Sequence, residues 1–240
     1  NNLASVLHSL GDHRKAKELL ERALPIKERA YGTNHVHFAT TLNNLARALG
    51  SLGDYRKAKE LLERALTINE QVYGTAHIEV AGILNNLANA CSMLGDSRKA
   101  IELLERALPI KVREYGSDHV QVAGILNNLA NAHRRLGDSR KAKELLERAL
   151  TIKEQVYGSD HVEVAKTLNI LANAYRSLGD YRRAKEVLER ALPIDEREYG
   201  SDHVKVAKTL INVAIVSRVV GEYHKAKEQL ERALAIKERE

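Results

Sequence analysis

The sequence of 240 residues has few of the residues that staple or interrupt a fold. It contains one cysteine, three prolines, one phenylalanine and no tryptophan. The lone Cys91 excludes a disulfide framework and a zinc site built from several thiolates. No apolar run approaches the roughly 20 residues that a membrane-spanning helix requires. The scarcity of proline, together with abundant Ala, Leu, Glu, Lys and Arg, favours a helical protein.

One unit recurs every 42 residues without insertion or deletion. The tetrad NNLA begins at positions 1, 43, 85 and 127, and the related NILA and INVA begin at 169 and 211. A fixed period of this length indicates a repeat architecture. The sequence therefore predicts a single repeat domain over residues 1–240, with units beginning near 1, 43, 85, 127, 169 and 211. Because the chain opens within the pattern, we expect it to be a fragment of a longer protein.

Each unit has the pattern of two helices. Apolar residues recur at helical spacing from Phe38 to Leu52 and again from Ala58 to Ile68. Gly53 can adopt the left-handed conformation that ends the first helix, and Asp54 can cap the second. The short turns allow only antiparallel neighbours. We predict an all-α fold, a right-handed superhelical solenoid of six helix-turn-helix repeats with about twelve antiparallel helices.

The segment between successive units also carries boundary signals. Gly74 is placed to end the second helix. Asp160 and Glu163 have the spacing of a capping box that would open the next first helix. Five histidines recur once per unit in this segment, at His35, His77, His119, His161 and His203. Because they form a row and do not converge on one point, we expect a structural role in the loop and no metal site.

The repeat resembles a known family. In residues 41–74, Leu45, Gly53, Tyr55, Ala58 and Leu62 stand where the tetratricopeptide repeat has its packing residues. The 42-residue form, with VAxTLNNLA and YGxDH, is similar to the kinesin light chain and nephrocystin-3 type. Kinesin light chains usually have proline after the DH pair, where this chain has valine or isoleucine. The resemblance implies that the first helices line a concave groove.

Asparagines dominate the predicted groove. The helical geometry places positions 40, 44, 47 and 51 of the unit opposite the apolar stripe. An amide both donates and accepts, so a row of amides can pair with an extended peptide main chain. The resemblance to kinesin light chains implies this role, and Ile170, which interrupts the row, predicts an apolar pocket. The alternative is that the amides bridge neighbouring helices. The predicted contacts are Asn2, Asn44, Asn86, Asn128 and Asn212, with Asn89, Asn131 and Asn173 in the adjoining row.

The predicted groove becomes basic toward the C-terminal half of the chain. The residues concerned are Arg134, Lys166, Arg176, Lys208 and Arg218, joined by Arg135. Such a surface favours acidic residues in a ligand and speeds their encounter. We therefore expect a protein or peptide partner that presents an extended, acidic segment.

Other functions find less support in the sequence. No phosphate-binding loop, nucleophile elbow or metalloprotease motif occurs, so we expect no enzymatic activity, no cofactor and no metal. An RNA-binding helical repeat is an alternative, but a net charge of +6 is modest and the groove lacks stacking aromatics. A ligand-free scaffold or self-regulatory array of a signalling protein is another.

Apolar open ends predict end-to-end self-association. A free cysteine and the lack of a signal-like start favour a cytoplasmic location without membrane contact.

Overall fold

Twelve α-helices make up the fold between residues 1 and 239, the part of the chain that a computed structural model describes, and that range contains no strand. The helices fall into two compact units, Asn1–Ser117 and the residues from Asp118 onward. The helices of unit 1 are α1 (Asn2–Ser9), α2 (His13–Tyr31), α3 (Val36–Ser51), α4 (Tyr55–Tyr73), α5 (Ile78–Met93) and α6 (Ser97–Tyr115). The helices of unit 2 are α7 (Val120–Arg135), α8 (Ser139–Tyr157), α9 (Val162–Ser177), α10 (Tyr181–Tyr199), α11 (Val204–Val219) and α12 (Tyr223–Glu238).

A tight glycine turn joins the two helices of each repeat. Gly53 has φ of 87°, a left-handed conformation that side chains with a Cβ rarely adopt. The Asp54 N–H donates to the Leu49 carbonyl at 2.9 Å, which closes the end of α3. The Asp54 carboxylate then accepts a hydrogen bond from the Lys57 N–H at 3.3 Å, so it caps α4. The predicted roles of Gly53 and Asp54 are confirmed.

A histidine opens the first helix of each following repeat. The N-cap of α9 is His161, whose Nδ1 accepts a hydrogen bond from the Glu163 N–H at 3.1 Å. The imidazole also stacks on the ring of Tyr157, with centroids 4.4 Å apart. The predicted capping box of Asp160 and Glu163 is therefore wrong, because Asp160 precedes the cap by one residue. The same cap is formed by His35, His77, His119 and His203.

Alanines and leucines close the space between helices. Ala46 of α3 and Ala58 of α4 are each 1% exposed, and the helices of this pair pack along their length. In unit 2, Leu146, Leu171 and Leu188 belong to one buried cluster that links successive repeats. Each second helix packs against the first helix of its own repeat and the first helix of the next one in the same unit. This arrangement leaves one face of every first helix outside the core.

The predicted all-α repeat array is confirmed, whereas the right-handed superhelix and the single domain stay predictions. Cys91 is 1% exposed, as expected for a small residue on the packed side of α5. In residues 1–239 no helix combines the length and apolarity needed to span a bilayer. The same residues contain no group of three or more His, Cys, Asp and Glu side chains arranged to hold a metal ion.

The histidine cap generates a stability prediction. His161→Ala should reduce the free energy of unfolding by about 1 kcal/mol, because the Glu163 N–H loses its acceptor. His161→Asn keeps a capping oxygen and should recover most of that loss. Chemical denaturation, with hydrogen exchange at the Glu163 amide, measures both effects. The control is His224→Ala, since His224 is exposed on α12. Equal stability of His161→Ala and the control would contradict a capping role.

Candidate functional site

The face of each first helix that points away from the core carries the residues predicted to contact a ligand. In α3, Thr40, Arg47 and Ser51 are exposed and Asn44 is half-buried, whereas Leu45 on the other side is buried. The predicted orientation of the helix is thus confirmed. The remaining predicted amides are likewise exposed or half-buried at the equivalent positions: Asn2, Asn86, Asn89, Asn128, Asn131, Asn173 and Asn212.

In unit 1 this face contains a cavity of about 350 Å³, which we call the unit 1 cavity. It is lined by His8, Ala46, Arg47, Gly50, Ser51, Tyr55, Ala58, Leu62, Asn86, Asn89, Ala90 and Met93. The buried Ala58 and Leu62 make part of the wall apolar, while Asn86 and Asn89 add amide groups. A concave site that combines an apolar wall with several convergent polar groups is typical of ligand-binding sites.

Gly50 keeps the unit 1 cavity open. A Cβ atom at this position would meet no atom within 4 Å, so the space beside the backbone is empty. Gly50 has ordinary helical geometry, and here its contribution is the lack of a side chain. The equivalent residue in α5 is Ser92, which is also small. In α3 the open space beside the backbone therefore depends on the lack of a side chain at Gly50.

Positive charge lies beside the unit 1 cavity. Arg47 is exposed at its edge, and His8 lines it from α1. Burial lowers the pKa of His8, and the nearby charges of Arg47 and His13 lower it further. The imidazole therefore favours its neutral form, and Arg47 supplies the positive charge of this site.

One predicted contact also has a structural bond. The Asn86 Nδ2 donates to the Asn43 Oδ1 at 2.9 Å, which joins α5 to α3. Within residues 1–239, the Asn86 Oδ1 takes part in no hydrogen bond. Asn86 can therefore hold neighbouring helices together and still offer an acceptor to a ligand.

The asparagines that directly precede the predicted contacts in each 42-residue repeat form bridges between first helices. Asn1 bonds to Thr41 at 3.1 Å, and Asn127 donates to the Thr167 hydroxyl at 3.0 Å. The Asn169 Oδ1 lies 3.1 Å from the Thr209 hydroxyl oxygen. The alternative role, in which the amides bridge neighbouring helices, thus applies to this row. It lies next to the row of asparagines predicted to contact a ligand. The bridging amides are Asn1, Asn43, Asn127 and Asn169.

A buried carboxylate joins the last of these bridges. Asp195 of α10 is 4% exposed and accepts from the Thr209 hydroxyl at 2.7 Å and from the Asn169 Nδ2 at 3.2 Å. Burial raises the pKa of Asp195, although the two hydrogen bonds oppose that effect. The equivalent residue in α4 is Asn69, a neutral side chain that is 5% exposed. The position therefore tolerates a buried polar group with or without charge.

In unit 2 the equivalent face is basic. Arg134, Arg176 and Arg218 occupy the position of Gly50 in α7, α9 and α11, and we call them the arginine row. Arg176 Nη1 donates to the Asn173 Oδ1 at 3.1 Å, so these two predicted contacts are paired with each other. The Asn173 Nδ2 donates to the Asn169 carbonyl in its own helix. The remaining donors of Arg176 make no other hydrogen bond in the described residues.

The two predicted lysines differ in their surroundings. Lys166 Nζ lies 2.5 Å from the Glu163 Oε1, so its charge is partly balanced by a carboxylate that it shares with Lys153. Burial would lower the pKa of Lys166, but the hydrogen bond and charge of Glu163 prevail and raise it. Lys208 is exposed on α11 and has no acidic side chain within 4.0 Å in residues 1–239. Lys208 therefore contributes more to the potential of this face than Lys166.

Sequence reasoning missed polar contacts that cross between repeats. Tyr175 donates its hydroxyl to the Glu147 Oε1 at 2.9 Å, and burial together with this bond raises its pKa to about 12. Lys153, 5% exposed, pairs with Glu163 at 3.2 Å. The sequence does contain a signal for these contacts, because Lys153 and the equivalent residue Asp195 place a charge within the apolar stripe of a second helix. The predicted apolar site at Ile170 is a partly buried side chain packed on the core.

Solved structures with this architecture are repeat arrays. A P. anserina protein of the kinesin light chain type, with nearly identical TPR-like repeats, is 27% identical, with a TM-score of 0.71 over 85% of this chain and 97% of that one. BtubC of P. vanneervenii is 27% identical, with a TM-score of 0.73 over 95% and 89%. RapI in its apo form is 18% identical, with a TM-score of 0.67 over 95% and 60%, and shares the fold alone. No curated protein matches significantly.

The stacked helix pairs and their exposed polar face define a helical-repeat scaffold for protein interactions. A tetratricopeptide repeat model matches residues 1–71, 37–111, 79–155, 121–197 and 163–239. The chain belongs to the tetratricopeptide repeat family. The predicted resemblance to arrays of the kinesin light chain type is confirmed as well.

The buried carboxylate generates a prediction about pH. Because the pKa of Asp195 is raised on folding, its contribution to stability is greatest at low pH and is lost as pH rises through that pKa. Asp195→Asn should therefore raise the free energy of unfolding at pH 7, by roughly 0.5–1 kcal/mol. The gain should shrink as the pH falls toward 4. Urea denaturation across this pH range measures it, with the exposed Asp202→Asn as control. A variant that is less stable than the parent protein at pH 7 would contradict the predicted direction of the change in the free energy of unfolding.

Proposed function

We propose that this chain is a non-catalytic module that binds an extended, acidic segment of a partner protein on the exposed face of its first helices. The observation that carries the proposal is the unit 1 cavity, where an apolar wall meets amide groups and a positive charge. A side chain of the partner would enter beside Gly50. Asn86 and Asn89 would hydrogen-bond the main chain on either side of it.

The remaining amides extend the same mode of binding within each unit. In unit 1 the further contacts are Asn2 and Asn44, and in unit 2 they are Asn128, Asn131, Asn173 and Asn212. Since amides pair with main-chain groups, they hold a segment of varied sequence. Selectivity would come from the residues that differ between repeats at the position of Gly50. Lys208 and the arginine row would attract acidic residues, with Lys166 and Arg135 as weaker contributors.

The variants Gly50→Arg and Gly50→Ala test this proposal. Arginine occurs naturally at the equivalent position of α7, α9 and α11, and both substitutions favour helix over glycine. Gly50→Arg should fill the unit 1 cavity and weaken peptide binding about tenfold or more, whereas Gly50→Ala should leave it nearly unchanged. Asn89→Ala should weaken binding about fivefold, the effect of one lost hydrogen bond. Peptides selected from a random library on the parent protein provide the probe, with affinities measured by calorimetry.

The control for the amide is Asn34→Ala, since Asn34 is an exposed loop residue outside the cavity. Equal affinity of all selected peptides for the parent and Gly50→Arg would refute binding at the cavity. Single-stranded RNA that binds while no peptide does would instead favour the nucleic-acid alternative. If neither ligand binds, the array is a ligand-free scaffold.

Exposed apolar residues at both ends support a second proposal, end-to-end association of two copies. Leu230 of α12 is 46% exposed and Leu234 is 57% exposed, whereas Leu188, equivalent to Leu230, is fully buried. At the other end, Leu3 and Val6 of α1 are 61% and 54% exposed. In internal repeats these positions pack against the neighbouring repeat. The apolar face of α12 would therefore pack on the first helix of a second copy as each second helix packs on the next repeat.

Sedimentation velocity tests the association. The parent should show a weight-average mass that grows with concentration, because burying these leucines removes apolar surface from water. The variant Leu230→Lys, Leu234→Lys should remain monomeric over the same range. The control is Leu136→Lys, which changes an exposed leucine at an internal turn. A parent that stays monomeric at the highest soluble concentration would refute the proposal.

A further inference from the structure

Acidic partners neutralise much of the basic charge of unit 2. Arg190 lies 2.5 Å from Glu154, and Lys225 lies 2.7 Å from Glu189. Even Arg182, whose side chain is 92% exposed, has a partner in its own helix. These pairs lie on the second helices. On the first helices of unit 2, by contrast, several basic residues, Lys208 among them, have no carboxylate within 4.0 Å in residues 1–239.

The arginine row belongs to this group of residues on the first helices. Within residues 1–239, no carboxylate lies within 4.0 Å of Arg134, Arg176 or Arg218. They occupy the same position of α7, α9 and α11, and each of these helices contacts the next. Three positive side chains therefore stand side by side on one face. Their mutual repulsion is a cost that the fold does not offset with its own carboxylates.

Arg134 is the most constrained member of the row. It is half-buried, and its Nε is shielded from solvent without a hydrogen-bond partner in the described residues. Burial lowers the pKa of Arg134, and the charges of Arg135 and Arg176 lower it further. A buried donor without an acceptor is rare in folded proteins, so contacts within the described residues do not account for the side chain of Arg134.

Two acidic side chains at the start and in the middle of α8 are engaged elsewhere. Glu147 of α8 accepts from the Tyr175 hydroxyl at 2.9 Å. Asp138 caps α8 and lies 3.4 Å from the His133 imidazole. Neither carboxylate is available to the row without breaking these contacts. The positive charge is thus a stable feature of this face.

We infer that the arginine row binds the phosphomonoester of a phosphorylated serine, threonine or tyrosine in the partner segment, an inference that rests on the proposed function. A phosphomonoester carries close to two negative charges near pH 7 and three acceptor oxygens. It can therefore bind the planar forks of Arg134 and Arg176 at the same time, whereas one carboxylate balances a single charge. The remaining member, Arg218, adds attraction from α11.

Three degenerate peptide libraries test the inference on the full chain. They share the same flanking mixture and differ at one fixed central residue, which is phosphoserine, glutamate or serine. The phosphoserine library should bind at least about tenfold more tightly than the glutamate library. Arg134→Lys, Arg176→Lys keeps both charges but removes the forks, and it should abolish most of that difference. Arg182→Lys is the matched control, since it changes an exposed arginine on α10.

Each other outcome has a definite meaning. Equal binding of the phosphoserine and glutamate libraries would overturn the inference while the proposal of an acidic segment stands. If none of the libraries binds, both proposals fail together. A single-stranded oligonucleotide that binds as tightly as the phosphoserine library would also overturn it, because the row would then recognise phosphodiesters. If the difference in affinity between the phosphoserine and glutamate libraries persists in the Arg134→Lys, Arg176→Lys variant, the phosphate binds at another site and the inference is overturned.

Inorganic phosphate provides a readout that needs no peptide. The side-chain N–H signal of Arg134 should shift saturably in NMR spectra as phosphate is added at constant ionic strength, because phosphate bound by the guanidinium changes the surroundings of its Nε–H. The signal of Arg182 should move little. Linear shifts of equal size at both arginines would show general ion screening and would overturn the inference.

Discussion

The close approach of neighbouring helices is the constraint on which the rest of this structure depends. A pair of helices cannot bury its apolar stripe alone, so each repeat is completed by the next one in its unit. Ala46 and Ala58 are almost fully buried at these contacts, where a longer side chain would force the helices apart. The second helix meets first helices of two repeats and has little freedom to vary. The exposed face of the first helix carries no such constraint, and there the repeats differ most.

The fold was predictable because its signals are local. The positive φ of Gly53 and the cap at Asp54 follow from backbone sterics and hydrogen bonding within a few residues. The start of the first helix was mistaken for a different reason. The spacing of Asp160 and Glu163 satisfies the capping-box pattern, but His161 caps the helix because Tyr157 holds its imidazole in place. That contact joins two helices, and no pattern within one helix reveals it.

The candidate site was less predictable because two asparagine rows adjoin each other along the helix. Whether an amide faces a neighbouring helix or solvent depends on what that neighbour presents. Asn127 donates a hydrogen bond to Thr167 of the next repeat. The repeat that follows Asn43 has an isoleucine in place of that threonine, and Asn43 instead accepts a hydrogen bond from Asn86. The sequence shows that both rows carry amides on the exposed side of the stripe. It does not contain the interhelical distances that decide which amides form hydrogen bonds between neighbouring helices.

The different surfaces of the two units follow from one position of the repeat. Gly50 leaves a cavity beside α3, whereas the same position of α7 and α9 carries a charged arginine. Neither choice disturbs the backbone, because α3, α7 and α9 are continuous helices of the same length. Buried polar groups such as Asp195 instead tie adjacent repeats together and leave this face unaltered. A repeat scaffold can therefore change its ligand by single substitutions on the exposed face while its stability is set elsewhere. For the same reason, variants of Gly50 and Arg134 separate binding from folding more cleanly than variants of the bridging asparagines.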